Sequence, residues 1–322
     1  MVSQRSKVVA ALAGSLAVLV AACAVPNASA SVAAATAPSS PVVSGCRVFP
    51  ANNAWNEDVS KLPVRSDSAT LVRSISQTGG RTMLHADFGG HGAYGIPFRI
   101  VNASQKRYPI HYTAYGDESD PGPFPIPSNA PVEGGNSSDG DRHVIVLQSG
   151  TCHLFELYRA FWRGSRWDAD SGVNWNLSSN KLRPLGWTSA DAAGLPIFAG
   201  LVRYGEVAAG AIHHAIRFTV EATQRGYILP ATHYASSSNN KALPPMGLRL
   251  RLKASYSLSR FHGEALVILQ ALKRYGMIVA DNGSSWFLTG AADPRWNDND
   301  LDQLKSVPGS AFEAVNTGPI HH

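Results

Sequence analysis

Apolar and polar positions alternate with a period of two along several stretches of the chain. Leu248, Leu250, Leu252, Ala254 and Tyr256 alternate with Arg249, Arg251, Lys253 and Ser255, which predicts a strand with one apolar and one basic face. Ile212, His214, Ile216, Phe218 and Val220 predict the apolar side of a second strand, and Tyr94 to Val101 and Ile110 to Tyr115 read as two more. Met277 to Asp281 and Ser284 to Leu288 flank Asn282-Gly283, a dipeptide favoured in two-residue hairpin turns. Helical spacing is rarer. His262 to Tyr275 carries Leu266, Leu269 and Leu272 in register and stops at Gly276. Thr188 and Asp191 stand at capping-box spacing at the head of Thr188 to Ala193, and Asp300 to Val307 predicts a third short helix. The sum is a mainly β fold, sandwich or jelly-roll-like, in a single domain with a few short flanking helices.

Composition narrows the alternatives. The 322 residues include 29 Gly and 20 Pro, too many backbone punctuators for a bundle of long helices. Charged residues at 16% exclude a coiled coil, and hydrophobic residues at 44% exclude a long disordered chain. The net charge of +5 is mild and scattered, so nucleic acid is not an expected partner. There is no G-x-S-x-G elbow, H-E-x-x-H, P-loop or dinucleotide-binding fingerprint, which disfavours the common serine hydrolases, zincins and nucleotide-dependent enzymes.

The N-terminus reads as an export signal over 1–30. Arg5 and Lys7 precede the uncharged run Val8 to Ala22, and Ala28-Ser29-Ala30 offers a cleavage site. Val20-Ala21-Ala22-Cys23 also resembles a lipobox, in which Cys23 would carry a lipid, the sole expected attachment to a membrane. Either reading places the folded part outside the cytoplasm, plain secretion being preferred. Residues 31–45, rich in Ala, Ser, Pro and Val, read as a linker, 46–315 as the β-rich domain and 316–322 as a frayed tail. Cys46 and Cys152 remain as an even pair in an oxidising compartment, which predicts one disulfide and leaves no cysteine for a zinc site.

Chemistry concentrates in Asp141 to Tyr158. If Ser149-Gly150 is a two-residue turn, Ile145 faces Leu154, His143 faces Glu156 and Asp141 faces Tyr158, all on one side of a hairpin. A carboxylate beside a histidine fixes its tautomer, and a nearby tyrosine can move a proton, so these four side chains are the candidate catalytic group. A hydrogen-bonded polar cluster at a sheet edge is the competing reading, and a one-residue slip would split the group across two faces.

Other positions are candidates for binding. Asp117, Glu118 and Asp120 could hold Ca²⁺ or supply a second acid, although their spacing matches no EF-hand loop and a solvated turn is the preferred reading. No metal or other cofactor is otherwise expected: His85, Asp87, His143 and His233 show no recognised ligand spacing. Trp162, Trp167, Trp175 and Trp187 crowd a loop-rich stretch, and Trp175, between Asn174 and Asn176, is the one expected to be exposed and to stack on a sugar ring. His214 reads as a core histidine. His213, sharing a strand face with Arg217, is the better binding candidate, and Arg217 or the stripe Arg249, Arg251, Lys253 could neutralise a uronate. Glu206 is expected on a short helix and exposed.

Three blocks, Gly140-Asp141-Arg142-His143 with Phe155-Glu156-Leu157-Tyr158, Trp187 to Pro196, and Ala280-Asp281-Asn282-Gly283-Ser284-Ser285-Trp286, resemble a group of secreted bacterial proteins. The resemblance covers roughly 46–315, implies export and a single domain, and carries no catalytic residue over. The leading expectation is a secreted carbohydrate-active enzyme, glycoside hydrolase-like, acting on an extracellular or cell-wall polysaccharide with Glu156 as acid/base. The alternatives are a polysaccharide lyase using His143 or Tyr158, and a non-catalytic glycan- or surface-binding protein.

Overall fold

The structure is a computed structural model and describes Met1 and residues 40–322. The expected export signal, Cys23 and most of the linker lie outside the described residues. The strands fall into four sheets with few short helices between them, as the alternation predicts. The largest sheet orders its strands Phe312–Ala314, Arg249–Leu252, Met277–Asn282, Ile216–Val220, Phe287–Leu288 and His85–Ala86. A second sheet runs Ser171–Asn176, His153–Tyr158, Val144–Gln148 and Phe98–Val101. Ile110–Tyr112, Trp167–Ala169 and Phe161–Trp162 form a third, and Val42–Val43 pairs with Cys46–Arg47.

The second sheet is the middle layer. Ile145, Leu147, Leu154 and Val173 point into a large core shared with Phe218, Leu250 and Met277 of the first sheet. The alternate residues Val144, Val146, Phe155 and Leu157 point the other way, into a smaller core with Phe124, Trp167 and Ala169. Val144–Gln148 is therefore buried at every position, which is why it reads as a continuous apolar run. The helix Gly263–Arg274 supports the first sheet through Ala265, Ile268, Leu269 and Leu272, and Ser68–Gln77 does so through Leu71 and Ile75.

Several local expectations change. Asn282-Gly283 does not close a hairpin: Ile216–Val220 lies between the flanking strands, parallel to Met277–Asn282 and antiparallel to Phe287–Leu288. The turn instead wraps over the end of that middle strand, where Gly283 N–H donates to the Val220 carbonyl. Thr188 to Ala193 is not helical; the Thr188 hydroxyl and the Gly194 N–H both reach Asp191 backbone atoms in a compact turn, and the helix begins at Ile197. The cations of the basic stripe are all bonded within the fold. Arg249 is buried in an interior strand and donates to the Tyr275 and Glu57 carbonyls, Arg251 binds Glu313 and the Val59 and Leu62 carbonyls, and Lys253 reaches the Ser310 carbonyl. The fold starts before Cys46, with Ser40 already buried, and the tail is docked: Tyr227 and His321 exchange two backbone hydrogen bonds. The Cys46–Cys152 disulfide is present, with Cα atoms 5.3 Å apart.

Candidate functional site

The Asp141 to Tyr158 hairpin forms with its register moved by two residues. Ile145 lies opposite Glu156, Leu147 opposite Leu154 and Gln148 opposite His153, because the turn holds four residues, Ser149 to Cys152. A shift of two keeps every side chain on its expected face. His143 consequently meets Tyr158, their rings 5.7 Å apart, instead of Glu156.

Two of the four expected catalytic groups are buried structural anchors. Glu156 is 0% exposed. Its Oε1 accepts the Phe198 N–H at 2.8 Å, and its Oε2 accepts the Trp175 indole N–H at 3.0 Å and the Ile197 N–H at 3.2 Å. It thus satisfies the first free amides of the helix Ile197–Gly200 from below. Burial pushes its carboxyl up to about 7 against the pull of these three donors. His143 is equally sealed. Its Nδ1 is 2.6 Å from Glu133 Oε2 and its Nε2 is 3.1 Å from the Ala190 carbonyl, so both nitrogens donate and the ring is an imidazolium. Burial works against the charge, but the Glu133 carboxylate outweighs it and lifts the group to about 9. Neither side chain lines an open pocket.

The other two expected groups do. Asp141 and Tyr158 line a pocket of about 390 Å³ with Tyr115, Ser171, the 188–192 turn, His233, Asp281 and Asn282. Asp141 is exposed, and no side-chain hydrogen bond holds its carboxylate among the described residues. Burial, with the Asp141 charge adding to it, raises the Tyr158 hydroxyl. His233 points its Nδ1 at the Ala192 carbonyl, 2.7 Å away, which puts the proton on Nδ1 and leaves Nε2 as an acceptor. Asp281 stands on the pocket floor with 22% of its side chain open. Its Oδ1 accepts the Asn282 N–H at 2.7 Å, and its Oδ2 accepts from Arg217 Nη2 at 3.2 Å. Burial, reinforced by the neighbouring Asp191 charge, raises its carboxyl to about 7 in spite of Arg217.

Arg217 is the keystone under this floor. It grips Asp191 with two nitrogens at 2.7 and 2.8 Å and donates to Thr289 Oγ1 at 2.7 Å. It is 4% exposed, so the expected role of neutralising a substrate carboxylate is corrected: its charge is spent inside. The hydroxyls of Ser171 and Ser189 are likewise committed to backbone carbonyls, which leaves neither available as a nucleophile.

The remaining candidates lie apart from the pocket. Trp175 is 7% exposed and bonded to Glu156, so it is not the sugar platform the sequence suggested. His213 lines a separate cavity with Arg203 and Arg295, its Nδ1 3.4 Å from the Tyr275 hydroxyl. His214 is a core residue between the Ala215 carbonyl and Glu206, and Glu206 is held by Arg203 rather than exposed. The acidic loop is a docking device: Glu118 accepts the Thr188 N–H, Asp120 accepts from Asn174 N and Arg183, and Asp117 is exposed. Among the described residues no group of three or more His, Cys, Asp or Glu is arranged to hold a metal ion.

Sequence reasoning missed Asp281, Asp191 and Glu133 as parts of one charged group. Asp281 sits near the C-terminal end of a strand in a parallel pair, where pockets of mixed sheets gather. That signal was hidden by the hairpin reading of the next two residues. Comparison with family models, with curated proteins and with solved structures returns no match.

Proposed function

We propose that the protein is an exported carbohydrate-active enzyme that cleaves a polysaccharide by acid–base chemistry in the Asp141–Asp281 pocket. The observation carrying this reading is a solvent-open pocket with two carboxyls in different surroundings: Asp281, half-buried with its carboxyl raised to about 7, and Asp141, exposed and free. The raised carboxyl of Asp281 suits it as the acid, and the open position of Asp141 suits it as the base. Asp281 gives its proton to the glycosidic oxygen as the C1–O bond breaks. Asp141 takes a proton from the water whose oxygen bonds C1, and solvent returns that proton to Asp281. His233 Nε2 and the Tyr158 hydroxyl are placed to orient sugar hydroxyls. Export is supported by the basic and apolar N-terminal pattern and is compatible with the disulfide. The two larger sheets contribute to a common core, and a sandwich-like arrangement of them would suit a rigid frame for such a pocket.

The test is a screen of polysaccharides for new reducing ends, with wild type, Asp281→Asn and Asp141→Asn side by side. Each substitution is expected to lower turnover about 10²- to 10⁴-fold. Because Asp281 must carry a proton, activity should fall as pH rises through about 7. Wild-type turnover by Asp281→Asn, or no turnover by wild type on any polymer, would sink the reading.

A further inference from the structure

We propose that the groove lined by Trp187, Asn174, Asn176 and Lys181 binds an acidic, uronate-bearing glycan chain and continues the Asp141 pocket. The inference rests on the carbohydrate reading above and narrows it to a substrate class.

The groove encloses about 490 Å³ along the outer strand of the middle sheet. Asn174 and Asn176 are exposed on one face of that strand, about 7 Å apart by the two-residue repeat. Their amide oxygens are occupied. Asn176 Oδ1 accepts the Ser178 N–H at 2.9 Å, and Asn174 Oδ1 lies 2.7 Å from His153 Nδ1. The amide nitrogens are left to donate. Among the described residues neither of them has an acceptor, nor have Lys181 Nζ and the half-buried Trp187 indole N–H. The one acid in the groove is paired through one oxygen: Asp120 Oδ2 takes Asn174 N at 2.9 Å and Arg183 Nη1 at 3.1 Å.

The groove therefore offers donors, one free cation and an aromatic face, and its single carboxylate is paired with the Arg183 guanidinium. Carboxylate-bearing sugar rings supply what this lining lacks, acceptors and negative charge around a flat apolar face. Continuity comes from the chain itself. Trp187 lines the groove and Thr188, the next residue, lines the pocket. This partition is fixed, since Thr188 N–H donates to Glu118 Oε2 at 2.7 Å and the Thr188 carbonyl accepts from Arg183 Nε at 2.6 Å. A linear chain seated at Asp281 has to cross it to leave on this side.

Affinity electrophoresis through polygalacturonate, alginate and dextran tests the proposal, with wild type, Lys181→Glu, Trp187→Ala and Asp281→Asn compared. Retardation by at least one of the two uronate polymers and not by dextran is expected. Lys181→Glu, at an exposed position, and Trp187→Ala should each weaken it about tenfold or more, and Asp281→Asn should bind as wild type does. Retention by neither acidic polymer, equal retention by dextran, or unchanged binding of both groove variants would overturn it. Tight binding of an acidic polymer that wild type fails to cleave removes the acid–base reading and leaves the groove standing. Cleavage with an unchanged KM in both groove variants does the reverse.

Discussion

His143 shows how a titratable side chain in this protein acts through stability rather than chemistry. Its folded value, about 9, stands above the ordinary 6.5 because the Glu133 carboxylate outweighs burial. The sign follows directly. A raised histidine contributes fully below about pH 6.5, and the contribution is lost as pH climbs through 9. The window is worth on the order of 3 kcal/mol, at about 1.4 kcal/mol per unit. Thermal melts from pH 6 to 10 should show wild type losing stability across this range, and His143→Gln should start lower and stay flatter. Equal slopes in both proteins would refute the ion pair. At this scale the sequence was a good guide to which residues share a face and a poor guide to which of them meets water. Asp141, His143, Glu156 and Tyr158 sit on the expected side, yet depth along the strands separates two solvent-facing groups from two sealed ones. Depth depends on what covers the hairpin, here the 188–200 segment, and no spacing within the hairpin encodes that.

At the scale of elements, Glu156 belongs with the helix it holds. Ile197–Gly200 is a single turn and too short to be stable by itself. It is fastened by the Glu156 carboxylate at its head and by close packing at its end, where a Cβ on Gly200 would lie 2.6 Å from the Trp55 ring and 2.7 Å from Arg217 Cβ. Glu156→Gln forces an amide N–H₂ against one of three N–H donors, a buried mismatch that costs roughly 1–3 kcal/mol. Urea titration should show that loss, while turnover per folded molecule stays at the wild-type level, the opposite of Asp281→Asn. Abolished turnover in a fully folded Glu156→Gln protein would return this carboxylate to the chemistry. The strands Ile216–Val220 and Arg249–Leu252 and the helix Gly263–Arg274 were legible because apolar residues repeat at the period of each segment, although Arg217 and Arg249 on the polar face of the strands are buried as well. The Asn282-Gly283 turn was misread because the residues that separate its flanking strands lie some 60 positions earlier, beyond any local pattern.

For the whole molecule, the disulfide joins the N-terminal hairpin to the turn of the middle sheet across 106 positions of sequence. Closing a loop of that length stabilises by about 4–5 kcal/mol in the chain-entropy account. Reduction, or a Cys46→Ser/Cys152→Ser double variant, should lower the unfolding free energy by that order in guanidinium titrations, and an unchanged midpoint would contradict it. The layered arrangement itself was only partly readable. The middle sheet is buried on both sides by two different cores, and a run such as Val144 to Leu147 announces burial without saying what lies on either side.

The Arg183 guanidinium ties three carbonyl or carboxylate oxygens from two loops and is covered by the Trp175 and Trp187 rings. A rivet of this kind sets the width of both neighbouring recesses before anything enters them. A ligand then meets surfaces that are already ordered, and little of its binding energy is diverted into freezing loops.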